Sequence, residues 1–134
     1  MEKILEFAER FCEGENEQWS IDGLQLIGPV GTNGRKQRLR LGRLADVYTI
    51  ETTILDSEIV TKTNKSWRDY ARLAWKLNSE RDIVNFTFDE EHRMIGAIEH
   101  PCEFLDFEEF VIYAKRLAVE SDRVEYLLTG KDLW

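Results

Sequence analysis

Residues 83–99 constrain the fold of this chain more than any other stretch. Ile83-Val84-Asn85-Phe86-Thr87-Phe88 alternates, with Val84, Phe86 and Phe88 on one side. A period of two places such a row on one face of a sheet. Asp89-Glu90-Glu91-His92-Arg93 follows as a charged turn, and Met94-Ile95-Gly96-Ala97-Ile98-Glu99 returns. Two short extended runs joined by polar residues predict an antiparallel β-hairpin. His100-Pro101 closes the second strand, because proline cannot continue a hydrogen-bonded ladder.

A lone hairpin is marginal in water and needs more strands or a helix to cover its apolar face. The rest of the chain supplies both. Ile4, Leu5, Ala8, Phe11 and Cys12 form a helical stripe over residues 2–13, ahead of a stop at Gly14. Trp19, Ile21, Leu24 and Leu26 predict a short strand with an irregularity near Gly23. Residues 28–34 (Gly-Pro-Val-Gly-Thr-Asn-Gly) carry the composition of a loop. Leu39 and Leu41 then alternate with Arg38 and Arg40. The β-branched run 47–55 puts Tyr48, Ile50 and Ile54 on one face, and a further extended piece passes through Ile59 and Val60.

Ser66 and Asp69 have the spacing of a helix N-terminal capping box. The helix they open carries a stripe of Trp67, Tyr70, Ala71, Ala74 and Leu77, and ends at Asn78-Ser79. Asp106 and Glu109 repeat the capping spacing before a long helix with Phe107, Phe110, Val111, Ala114, Leu117, Ala118 and Ser121 inward, stopping near Gly130. The predicted order is α-β-β-β-α-β-β-α: an α+β domain spanning 1–134, with a mainly antiparallel five-stranded sheet and helices packed on one face.

The stretch from Ala74 to Glu99 resembles the YbjN-like family. The likeness is carried by the helix ending at Leu77-Asn78, by Val84-Asn85-Phe86-Thr87-Phe88-Asp89 and by Met94-Ile95-Gly96-Ala97-Ile98, followed by a short linker and a long last helix. The chain departs from that pattern in the His100-Pro101-Cys102 linker and in a longer glycine-rich loop at 28–36. The resemblance implies a fold similar to type III secretion chaperones, and a protein, often dimeric, that binds other proteins and catalyses nothing.

Reactive groups are sparse and scattered. Cys12, His92, His100 and Cys102 lack the paired spacing of a zinc site, so no metal and no cofactor is expected. Cys102 has His100 nearby but no third residue to orient it as a nucleophile. Gly28, Gly31 and Gly34 are followed by a strand rather than the helix N-terminus a phosphate cradle uses, and Thr129-Gly130-Lys131 lies at the wrong helix pole. Asp89-Glu90-Glu91 and Glu108-Glu109 read as solvated charge, since catalytic carboxylates need burial to raise a pKa. The expectation is no enzyme.

Binding residues are easier to nominate. The net charge is −8, which gives no general attraction to nucleic acid or anionic membranes. Within it, Arg35, Lys36, Arg38, Arg40 and Arg43 cluster. They could pair with acidic side chains on a neighbouring strand or subunit, capture an acidic protein segment, or touch nucleic acid. Trp67, Trp75 and Tyr113 exceed what one apolar stripe per helix requires, which points either to a broad core face or to a partner surface. Arg38, Arg40, Arg43, Trp75 and Tyr113 are the candidate partner-binding residues of a protein-binding or chaperone-like module, expected to be a homodimer. A nucleic-acid-associated regulator using residues 35–43 is the alternative. Met1-Glu2-Lys3 leads directly into the amphipathic pattern, and no apolar run nears the ~20 residues of a membrane span. The expectation is a cytoplasmic protein with no membrane contact, and with Cys12 and Cys102 as reduced thiols.

Overall fold

The computed structural model describes residues 1–13, 18–30, 34–56, 67–79 and 83–129. In chain order the elements are α1 (Glu2–Phe11), β1 (Ser20–Asp22), β2 (Gln25–Val30), β3 (Arg35–Leu44), β4 (Val47–Leu55), α2 (Trp67–Ser79), β5 (Asn85–Phe88), β6 (Met94–Pro101) and α3 (Phe107–Thr129). The strands form one six-stranded sheet in the order β1-β2-β3-β4-β6-β5, with every neighbouring pair antiparallel. The α+β class, the antiparallel sheet and helices packed on it are as expected from the sequence.

The strand count differs, six against the five expected. What reads as one strand with an irregularity near Gly23 is a hairpin: Asp22 pairs with Gln25, and Gly23 takes a positive φ of 61° to make the turn. The order is therefore α-β-β-β-β-α-β-β-α. The expected loop at 28–34 is also shorter. Gly28, Pro29 and Val30 belong to β2 and pair with Gln37, Lys36 and Arg35. Packing overrides the turn chemistry here. The Trp19 indole lies flat on Gly28, so that a β-carbon there would overlap the ring. The hairpin at 83–99 is present as β5 and β6, with Phe86 opposite Gly96.

Alternation along each strand sorts side chains onto two faces. Leu26 and Val30 of β2, Leu39 and Leu41 of β3, Tyr48, Ile50 and Ile54 of β4, and Met94 and Ile98 of β6 share the face the helices cover. Ile4, Ala8 and Phe11 of α1, Tyr70 and Ala74 of α2, and Phe110, Ala114, Leu117, Ala118 and Val124 of α3 close over it. Fully burying one such Leu, Ile or Phe contributes about 1.5–3 kcal/mol. Edge-on ring contacts join α1, α3 and the start of β1, with Phe11 5.4 Å from Trp19 and 6.0 Å from Phe110.

Local signals set the ends of the elements. Asp106 Oδ1 accepts from Glu109 N at 2.7 Å and Glu109 Oε1 accepts from Asp106 N at 3.2 Å, the reciprocal cap read from the sequence. Asn78, at the end of α2, accepts from Phe86 N at 2.7 Å and donates to Phe86 O at 2.8 Å. It therefore supplies β5, an edge strand, with the partner its outer side lacks. The cap at Ser66, the stops at Gly14 and Gly130, the extended piece at Ile59-Val60 and the Trp67 side chain lie outside the described residues.

Candidate partner-binding surface

The second face of the sheet is left open by the helices. Its side chains are the alternate set: Gln25, Ile27 and Pro29 on β2; Lys36, Arg38 and Arg40 on β3; Thr49, Glu51 and Thr53 on β4; Ile95, Ala97 and Glu99 on β6. Arg38 and Arg40 share a face as their spacing predicts, Arg38 opposite Ile27 and Arg40 between Gln25 and Glu51. A groove of about 540 Å³ crosses this face, and Lys36, Arg38, Arg40, Thr53, Asp56 and Arg93 are among its walls. Ile95, opposite Thr53 on the same side of the sheet, is buried.

The four cations of the groove are not equivalent. Arg40 donates from Nε to Glu51 Oε1 at 3.3 Å and from Nη1 to Thr53 Oγ1 at 3.0 Å. Arg93 donates to Asp89 Oδ2 at 2.7 Å and reaches Glu91 at 3.4 Å. The side chains of Lys36 and Arg38 are exposed and make no hydrogen bond or ion pair with any described residue. The acidic-pairing reading of the basic run therefore holds for Arg40. Arg35 instead turns to the helix side and meets Asp122 of α3 at 2.9 Å, an acidic partner on a helix rather than on the neighbouring strand or subunit expected.

The remaining nominated residues stand elsewhere. Arg43 has the opposite parity, paired with Tyr48, and its Nε donates to the carbonyl of Ala45 in its own turn at 2.8 Å. Trp75 is 74% exposed on α2, on the helix side of the molecule. Tyr113 is half-buried on α3 and engaged internally. Its hydroxyl lies 2.8 Å from His100 Nδ1, while His100 Nε2 is 3.7 Å from Glu109. Burial, then the carboxylates of Glu109 and Asp106, push the Tyr113 phenol above its ordinary pKa. These residues do not form one site.

Two features of the surface escape a reading of the sequence. Arg93 joins the groove only because β6 lies beside β4, which no local pattern reveals. Ile112, Val119 and Tyr126 make an exposed stripe along α3, each 56% exposed. Their spacing of seven was visible in the sequence but lies outside the inward stripe.

Chemistry-bearing groups are dispersed. Cys12, capping the end of α1, has its thiol pushed up by burial, the wrong direction for a nucleophile. The carbonyl of Cys102 accepts from Lys3 Nζ at 2.9 Å. Asp89 ties its own turn together, accepting from the backbone N of Glu91 and Arg93 at 3.0 and 2.9 Å. Desolvation raises its pKa, but these bonds and the Arg93 guanidinium outweigh it and hold the carboxyl below its usual value. Among the described residues no three His, Cys, Asp or Glu side chains converge as a metal site would require, and no helix is long and apolar enough to cross a membrane.

No family model matches the sequence, and no curated protein does. Among solved structures, a chain of the crystal structure of the ExsC–ExsE complex is similar. The TM-score is 0.57 at 17% sequence identity, over 95% of this chain and 91% of that one. Identity this low speaks to the fold and not to the YbjN-like family. The similarity shows a shared fold across nearly the whole chain.

Proposed function

We propose that this chain is a non-enzymatic, chaperone-like protein-binding module that holds its partner against the open face of the sheet. The observation that carries the reading is the division of the sheet. All the described helices pack on one side, while the other keeps a groove with two exposed cations, Lys36 and Arg38, that no described acid engages. The structural neighbour was itself crystallised as a complex. The YbjN-like rhythm of Ala74–Glu99 is part of the same reading. Trp75 and the α3 stripe, on the helix side, are exposed anchors for a second copy of the chain, a contact separate from the partner on the open face.

Affinity capture from the native host tests this reading, with wild type and a Lys36→Glu/Arg38→Glu variant compared. The expected result is a stoichiometric protein partner that wild type retains, chemically unchanged by intact mass, and the variant loses. A partner held equally by both, or covalently altered on binding, contradicts the reading. The two exposed cations that no described acid engages also favour a nucleic-acid-associated role. The net charge of −8 opposes it, and such binding would fall steeply with salt.

A further inference from the structure

We infer that the open face takes an extended acidic peptide segment running along β3, with carboxylates at alternate positions. This deepens the proposed function and rests on it. Lys36, Arg38 and Arg40 are successive same-face residues of one strand, so their α-carbons step by about 7 Å. An extended peptide has the same repeat between side chains on one side. A segment lying over β3 with an Asp or Glu at every second position therefore presents its carboxylates in step with the row. Lys36 and Arg38 are free of described acids and would carry the contact, while at Arg40 an incoming carboxylate competes with Glu51. Ile27 and Pro29 flank the row on β2, half-buried, and give the peptide backbone an apolar bed.

The charge pattern selects a peptide over a nucleic acid. Among the described residues the cations of this face are Lys36, Arg38, Arg40 and Arg93, while Asp22, Glu51 and Glu99 stand on the same side and Asp56 is in the groove wall. A phosphodiester strand carries a charge at every step and cannot avoid those acids. A peptide can place two carboxylates over Lys36 and Arg38 and remain neutral elsewhere. Exposed charge pairs are individually weak, so the register of several contacts would supply the selectivity.

The test is fluorescence anisotropy at low salt, with labelled peptides of about eight residues, long enough to span the row at 3.4 Å per residue. One alternates Glu with Val, one carries Gln in place of Glu, and one carries Lys. A single-stranded oligonucleotide of similar length is the fourth probe. The Glu peptide should bind wild type roughly tenfold more tightly than the Gln peptide. It should lose that advantage on Arg38→Glu, and the Lys peptide should gain affinity for the same variant. Equal binding of Glu and Gln peptides overturns the inference, as do no binding of the Glu peptide, tighter binding of the oligonucleotide, or indifference to Arg38→Glu. If the peptide arm fails while a captured native partner is still lost on Lys36→Glu/Arg38→Glu, the acidic-segment inference falls and the open-face reading stands.

Discussion

The two faces of the sheet are made from the same strands, and neighbouring residues serve opposite ends. Leu39 is fully buried under the helices, while Arg38 and Arg40 on either side of it point into the open groove. The helix side is closed by aliphatic and aromatic side chains from all three described helices. The other side carries a groove walled by Lys36, Arg38, Arg40 and Arg93. Burial fixes the first face and leaves the exposed Lys36 and Arg38 of the second outside the core, so changes at these two should be felt in binding and hardly in stability.

That contrast can be broken by adjacent substitutions. Leu39→Ala should destabilise the chain by about 2–5 kcal/mol in chemical denaturation, whereas Arg38→Ala should stay within about 0.5 kcal/mol. Comparable losses from the two would mean that the open face is part of the core. Gly28→Ala sharpens the comparison from the packed side. The added methyl must displace the Trp19 indole, at a cost of about 1–3 kcal/mol, with a change in tryptophan fluorescence. Asn78→Ala removes both bonds to the Phe86 backbone. It should cost about 1–2 kcal/mol and, by leaving the β5 edge bare, increase aggregation measured by light scattering.

The smallest effect concerns the turn between β5 and β6. The folded-state pKa of Asp89 is depressed, so its contribution is present above the ordinary carboxylate value of 3.8 and lost as pH falls through the folded-state value. The stability gap between wild type and Asp89→Asn should be flat from neutral pH down to about 4 and shrink below that. A gap that widens on acidification would contradict the assignment.

Much of this molecule can be read from single residues in order. The alternation at Val84, Phe86 and Phe88, the reciprocal cap at Asp106 and Glu109, and the helix end at Asn78-Ser79 each report a short-range physical constraint, and each is present in the structure. What escapes is long-range. A strand as short as Ser20–Asp22 has too few residues to show a period, so its hairpin reads as one irregular strand. Gly28-Pro29 looks like a turn until Trp19 is known to pack on it. Arg43 is separable from Arg38 and Arg40 by parity alone, since an odd offset along β3 faces the other way. Arg93 enters the groove through the pairing of β4 with β6, which follows from sheet order and from nothing within the turn.

Hydroxyl-radical footprinting of the chain, free and in the complex captured from its native host, tests the open face most directly. The account predicts protection of Ile27, Pro29, Lys36 and Arg38, with Ile112, Val119 and Tyr126 on α3 unchanged. Protection confined to the α3 stripe or to Trp75, with the open face as reactive as in the free chain, would contradict it.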